Sequence, residues 1–172
     1  MLIGLSGKFT SGKDGVASHL VNCYGFERRG FADKLKEVAA HLFGMNGKDR
    51  TLLQILGAKM REIDPDVWVR YVMRSINPRD NVVITDVRYQ NEYDAIQKCS
   101  HSILIRLECP LGVRIRRYIK LYGIVPTDEQ INHPSETDLD DLPFCFFINT
   151  DQPQTAVYNC VDKILEGIWP KP

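Results

Sequence analysis

The sequence predicts an α/β protein built on a five-stranded parallel sheet with helices on both faces. Three observations point there. Short apolar runs alternate along the chain with stretches whose apolar residues recur at helical spacing. The runs are apolar throughout and do not alternate with polar residues, as strands read when both faces of a sheet are covered. The most chemically distinctive residues follow directly after such runs, at the carboxyl ends of strands, where ligands gather in sheets of this kind.

Leu2 to Ser6 is the first strand, stopped at Gly7. From Lys13 to Cys23, residues Val16, Ala17, Leu20 and Val21 recur at helical spacing. Tyr24 to Phe31 has the composition of a second, weaker strand. Asp33 to Phe43 reads as a helix, with Leu35, Val38, Ala39 and Leu42 on one stripe and Gly44 as its stop. Two further helices are expected over Asp49–Met60 and Pro65–Ile76, the second opening on a proline suited to a first helical turn. Val82-Val83-Ile84-Thr85 is the strongest central strand. Asn91 to Cys99 is helical, and Ser102 to Leu107 is a strand. Pro110 to Tyr122 is a helix with Leu111, Ile115, Tyr118 and Tyr122 on its apolar side. Gly123 to Pro143 is polar and rich in Pro, Asp and Thr, too long for a plain connection, and reads as a lid or binding loop. Phe144 to Ile148 is the last strand, and the final helix carries Val157, Val161, Ile164, Leu165 and Ile168.

With 172 residues, 44% hydrophobic and 26% charged, the chain has the size and composition of one folded domain spanning 1–172. Lysine plus arginine matches aspartate plus glutamate at 22 each, so no surface for a nucleic acid is advertised. No apolar run approaches the roughly 20 residues that cross a bilayer, so no membrane partner is expected. Cys23, Cys99, Cys109, Cys145 and Cys160 form no C-x-x-C pair, and their odd number argues against a disulfide framework. Four of them neighbour apolar residues and read as small core residues in a reducing, cytoplasmic compartment. A monomer and a homodimer both remain open, the latter through apolar residues such as Phe43 or Trp169.

Gly7, Gly12 and Lys13 meet the spacing G-x-x-x-x-G-K between a strand and a helix. A glycine-rich turn in that context lets backbone N–H groups converge on phosphate, with the helix start adding partial positive charge. The loop 7–14, with Lys8, Thr10 and Ser11 inside it, is therefore expected to hold a nucleotide's phosphates, Lys13 reaching the β and γ groups. Asp14 stands where Ser or Thr is usual. A carboxylate there is repulsive to phosphate unless it touches magnesium, and Lys8 is a candidate compensating cation. Asp86, ending the central strand, is suited either to the magnesium shell or to capping the next helix. Arg88 offers a planar fork for a phosphoryl oxygen or a salt bridge to Glu92.

Arg114, Arg116, Arg117 and Lys120 crowd one helix, with Arg114 and Arg117 on a face opposite the apolar residues. Brought in by a closing lid, they would stabilise charge on a transferred phosphoryl group; the alternative is a solvated helix surface. Within the polar segment, His133 and Glu136 read as loop-ordering residues. For a second ligand beside the phosphate loop the candidates are Asp33, Lys36, Arg61, Trp68 and Arg70. Asp33 equally suits a helix cap, and Trp68 equally suits a base-stacking surface or the core.

Six segments carry a resemblance: Gly4-x-Ser6-Gly7-Lys8-x-x-Ser11-Gly12-Lys13-Asp14, Phe31-Ala32-Asp33-x-Leu35-Lys36, Leu53-Gln54-x-Leu56-Gly57 with Arg61, Asp64-Pro65-Asp66-x-Trp68, Asp86-Val87-Arg88-x-x-Asn91-Glu92, and His133-x-Ser135-Glu136. Together they resemble the deoxynucleoside monophosphate kinases of tailed bacteriophages over nearly the whole chain. The resemblance implies a three-layer P-loop kinase fold and transfer of the γ phosphate of ATP, with magnesium, to a deoxynucleoside 5′-monophosphate in the host cytoplasm. It also implies an acceptor site drawing on Asp33, Lys36, Arg61, Trp68, Arg88 and Glu136, metal contacts at Asp14 and Asp86, and catalytic roles for Lys13, Arg88, Arg114 and Arg117, with a lid at about 110–143. Animal-type phosphomevalonate kinase, whose loop also ends G-K-D, resembles the chain in pattern and is the rival reading.

Overall fold

The computed structural model describes residues 1–47 and 49–168. Five parallel strands, β1 (Leu2–Ser6), β2 (Glu27–Arg29), β3 (Val82–Val87), β4 (Ser102–Glu108) and β5 (Phe146–Asn149), lie in the order β2-β3-β1-β4-β5. The order reverses at β1, so the loop that follows it opens into the crevice where ligands of such sheets bind. Helices α1 (Lys13–Tyr24) and α9 (Gln154–Ile168) cover one face, where Val16, Leu20, Val157, Val161 and Leu165 meet Ile3, Leu5, Val83 and Ile105. On the other face α4 (Val67–Arg74) and α5 (Gln90–Gln97) bring Val69, Val72, Tyr93 and Ile96 against Leu2, Val82, Ile84 and Leu104. Neighbouring residues of β1 thus enter opposite layers, which is why the strand reads as apolar without alternation.

Around the cleft lie α2 (Asp33–Phe43), α3 (Arg50–Ile63) and α6 (Leu111–Tyr122), with two short turns, α7 (Asp128–Ile131) and α8 (Pro134–Thr137). Asp49 caps α3 by accepting from the Leu52 N–H at 3.0 Å. Several boundaries differ from the sequence reading. The second strand is three residues, not eight, because α1 continues to Tyr24 and closes on Gly25, whose left-handed φ of 69° returns its N–H to Leu20 and Val21. Pro65 lies outside α4, which starts at Val67, and α3 runs three residues past its expected end.

The polar segment 123–143 is not a bare loop. A capping box between Thr127 and Gln130 starts α7, and Leu139 is buried in the core against the sheet. The Tyr93 hydroxyl donates to the Pro143 carbonyl. The cysteines are corrected as well: all are free, Cys23 and Cys145 are exposed, and the other three are only half-buried. Phe43 is exposed, whereas Trp169 lies outside the described residues. No helix among the described residues is long and apolar enough to cross a membrane.

Candidate active site

The loop after β1 is shaped by its glycines. Gly7 has φ 147°, and a Cβ there would meet the Leu107 carbonyl oxygen at 2.6 Å, so any side chain would push the loop off the sheet. Gly12, at φ 93°, is the N-cap of α1. Thr10 also adopts a left-handed φ, 51°, without being glycine. Helix α6 holds it there: its hydroxyl donates to the Arg114 carbonyl at 2.7 Å and its own carbonyl accepts from Arg117 at 3.3 Å. The phosphate loop and the basic helix are therefore one packed unit.

Lys13 is buried, and its ammonium donates to the carbonyls of Gly7 at 2.6 Å and Lys8 at 2.9 Å. Burial, followed by the nearby Arg88 charge, pulls its pKa down to about 7. Glu136, in α8, ties the loop to the opposite wall. One carboxylate oxygen accepts from the Phe9 N–H at 2.6 Å and the other pairs with Arg88, which also donates to the Ser135 carbonyl. Burial opposes ionisation of Glu136, but Arg88, Lys13 and the Phe9 amide outweigh it and hold its carboxyl below the usual range.

Two carboxylates order the far wall. Asp86 accepts from the N–H groups of Phe31 at 2.7 Å and Ala32 at 3.0 Å, fixing the entry into α2. Glu92, also buried, accepts from the backbone of Arg88 and Tyr89 and meets Arg61 at 3.4 Å. Burial and the Asp86 charge push its pKa up to about 7 despite Arg61 and the two amides. The Arg61 guanidinium in turn lies 4.1 Å from the centre of the Tyr89 ring.

These parts enclose a cleft of about 780 Å³. It runs from Gly12, Arg117, Thr150, Gln152 and Tyr158 at one end to Arg28, Leu35, Lys36, Gln54, Arg61 and Tyr89 at the other, with Lys13, Asp14, Asp86 and Arg88 also on its wall. Among the described residues eight lysines and arginines line it against three carboxylates, on a chain of zero net charge. That imbalance favours a polyanionic ligand.

Most of the expected residues meet there, but several do not. Trp68 is buried in α4 and does not line the cleft, so it presents no stacking surface. Lys8 turns away to Asp140 at 2.6 Å and compensates that carboxylate instead of Asp14. Asp33 does not line the cleft; it is held by Arg28 at 2.6 Å and Lys36 at 3.2 Å. Arg114 is corrected most sharply. It was expected opposite the apolar face, yet Arg114 and Tyr118 are the buried residues of α6, and its guanidinium lies over the Phe9 ring at 4.7 Å. The aliphatic stem and planar head of an arginine allow that burial, and burial lowers its pKa. Arg117 alone of the pair reaches the cleft, donating to the Thr150 carbonyl at 2.6 Å. Glu136 has both oxygens engaged by protein donors, so it orders the site. Arg28 and Arg50 line the cleft without having been singled out in the sequence.

Among the described residues no cluster of three or more His, Cys, Asp or Glu side chains could cage a metal ion. Magnesium in phosphoryl-transfer sites needs no such cage, because it binds through one or two carboxylates and the substrate's phosphates. Asp14 and Asp86 are both on the cleft wall; Asp14 fits as a direct ligand, and Asp86, each of whose oxygens already accepts a backbone N–H, fits through a water of the magnesium shell.

No family model matches the chain. A protein of Acanthamoeba polyphaga mimivirus described as "Putative deoxynucleotide monophosphate kinase" is 30% identical over 175 residues, covering 81% of this chain and 82% of its own. An uncharacterized Ictalurid herpesvirus 1 protein, ORF77, is 29% identical and covers 95% of this chain and 69% of its own. Among solved structures, a sugar kinase from Janibacter sp. HTCC2649 superposes with a TM-score of 0.64 over 98% of this chain and 95% of that one, at 16% identity, a likeness of fold. With that fold, a glycine-rich loop carrying Lys13 and the extent of the mimivirus match, the protein is a P-loop kinase and belongs to the deoxynucleotide monophosphate kinase family that the mimivirus protein represents.

Proposed function

We propose that the protein transfers the γ phosphate of ATP to a deoxynucleoside 5′-monophosphate, giving the diphosphate. The observation that carries this reading is the continuity of the cleft. One cavity joins the phosphate loop to a second basic wall formed by Arg28, Lys36, Arg61 and Arg88, as two phosphorylated substrates meeting end to end require. The mimivirus relative's description supports the acceptor class.

In this reading Lys13 and the loop N–H groups neutralise the β and γ phosphates, and the incoming charge returns the proton that burial disfavours on Lys13. Arg88, fixed by Glu136, orients the acceptor phosphate, with Lys36, Arg28 and Arg61 behind it. The acceptor phosphate carries an ionised oxygen, so no general base is needed and positioning supplies most of the acceleration. Arg117 lies at the donor end, between the loop and Thr150. Magnesium held by Asp14 and Asp86 would supply further charge neutralisation of the phosphates.

The test is ADP release from ATP across a panel of dAMP, dGMP, dCMP, dTMP, the ribonucleotides and phosphomevalonate. Turnover dependent on one or more deoxynucleotides is expected. Turnover with phosphomevalonate and silence with every nucleotide would refute the acceptor class and favour the rival reading.

A further inference from the structure

We infer that Arg50 is a further catalytic arginine of this site, a guanidinium seated on three aromatic rings with its charge uncompensated and available to the phosphoryl group in transit; the inference rests on the phosphotransfer reading above. Arg50 is the first residue of α3 and lines the cleft. Its guanidinium carbon lies 5.1 Å from the ring centre of Tyr118 and 5.9 Å from those of Phe9 and Tyr122.

The other arginines of the cleft are committed to protein acceptors. Arg28 is paired with Asp33, Arg61 with Glu92 and Arg88 with Glu136, while Arg117 serves the carbonyls of Thr10 and Thr150. Among the described residues Arg50 has no carboxylate or carbonyl partner, and its Nε is buried without a hydrogen bond. Aromatic faces fix a guanidinium in place without cancelling its charge, and guanidinium is weakly enough hydrated to lie against them. The result is a positioned cation with unused donors, which is the requirement for stabilising charge that develops during transfer.

Its location agrees with that use. Phe9 belongs to the phosphate loop, Tyr118 and Tyr122 to the helix that pins the loop, and Arg50 to the helix that also supplies Leu53, Gln54 and Arg61 to the second wall. Arg50 therefore bridges the two halves of the cleft, between donor loop and acceptor wall. Phe9 is itself clamped, since its N–H is held by Glu136 and its ring also faces Arg114 at 4.7 Å. The seat is rigid on the loop side.

The test compares Arg50→Ala and Arg50→Lys with wild type in two readouts. The first is equilibrium binding of ATP and of ADP, each with magnesium, by calorimetry; the second is turnover over the acceptor panel. For Arg50→Ala a loss of about tenfold in ATP affinity is expected, with ADP affinity within about twofold, because the lost donors serve the γ group. Turnover should fall about a hundredfold, as when one preorganised donor is removed. Arg50→Lys should recover only part, and added guanidinium ion should restore turnover to Arg50→Ala. Equal weakening of ATP and ADP would show a structural role and overturn the inference, as would undiminished turnover. If wild type phosphorylates no nucleotide, the proposed acceptor class fails, while the ATP-against-ADP comparison still decides the role of Arg50. Should Arg50→Ala fail to fold, Arg50→Lys keeps the charge and the helix and gives the same comparison.

Discussion

Replacing Glu136 with alanine removes a buried side chain that joins the phosphate loop to the opposite wall of the cleft. Two groups lose their partner at once: the Phe9 N–H, held at 2.6 Å, and the Arg88 guanidinium. Removing one member of a buried ion pair costs about 3–5 kcal/mol because the other charge stays buried. The Glu136 side chain is 3% exposed and that of Arg88 25%, so water reaches Arg88 from the cleft and the lower end of that range applies, about 3 kcal/mol. An orphaned amide adds about 1 kcal/mol if the loop does not relax. For a domain of this size about 4 kcal/mol corresponds to a fall in Tm of roughly 8–16 °C. Chemical and thermal denaturation of Glu136→Ala, Arg88→Ala and the double variant form a cycle. The double variant should be less destabilised than the sum of the singles, since it leaves no unpaired charge. A Glu136→Ala protein within about 1 kcal/mol of wild type would refute the claim that this carboxylate staples the site.

Lys13 has a pKa of about 7 in the free protein, so ATP binding at pH 8 should take up a proton and weaken as pH rises above 7; calorimetry in buffers of different ionisation heat reads this, and binding without proton uptake at pH 8 would count against it. Glu92 has its pKa raised to about 7, so the folded state binds more protons than the unfolded one between about pH 4.5 and 7, and stability falls as pH rises through that window. Glu92→Gln should therefore gain stability relative to wild type between pH 5 and pH 8, and a relative loss measured by urea unfolding would show that the ion pair with Arg61 dominates instead. Trp68 is buried away from the cleft, so Trp68→Ala should cost about 3–5 kcal/mol, whereas Trp68→Phe should leave nucleotide KM values unchanged; a raised KM in a well-folded Trp68→Phe variant would return the indole to the binding surface.

The glycine-loop half of the candidate site was legible because its signal is local. Gly7, Gly12 and Lys13 need only their spacing and the flanking strand and helix to be read, and both are where the apolar patterns put them. The opposite wall of the cleft depends on which side chains meet across the sheet, and no spacing carries that. Arg28 comes from a strand of three residues whose flanks blurred it into an eight-residue stretch, and no spacing marks its pairing with Asp33 or its place on the cleft wall. Arg114 misled because charge on a helix ordinarily signals solvent, while here the Phe9 ring accepts the guanidinium and buries it. Trp68 divided between two readings that sequence cannot separate, since a helix with Val69 and Val72 inside can turn a tryptophan either way. In the segment 123–143 a polar composition hid Leu139, whereas Glu136 was read as loop-ordering; the burial of both makes that stretch part of the packed structure.

The most direct test follows the phosphorus atom. ATP labelled at the γ position, incubated with magnesium, a deoxynucleoside monophosphate and either wild type or Lys13→Ala, should deliver its label to the deoxynucleoside diphosphate with wild type and lose most transfer with the variant. Label appearing only as inorganic phosphate, or equal transfer by Lys13→Ala, would contradict the account.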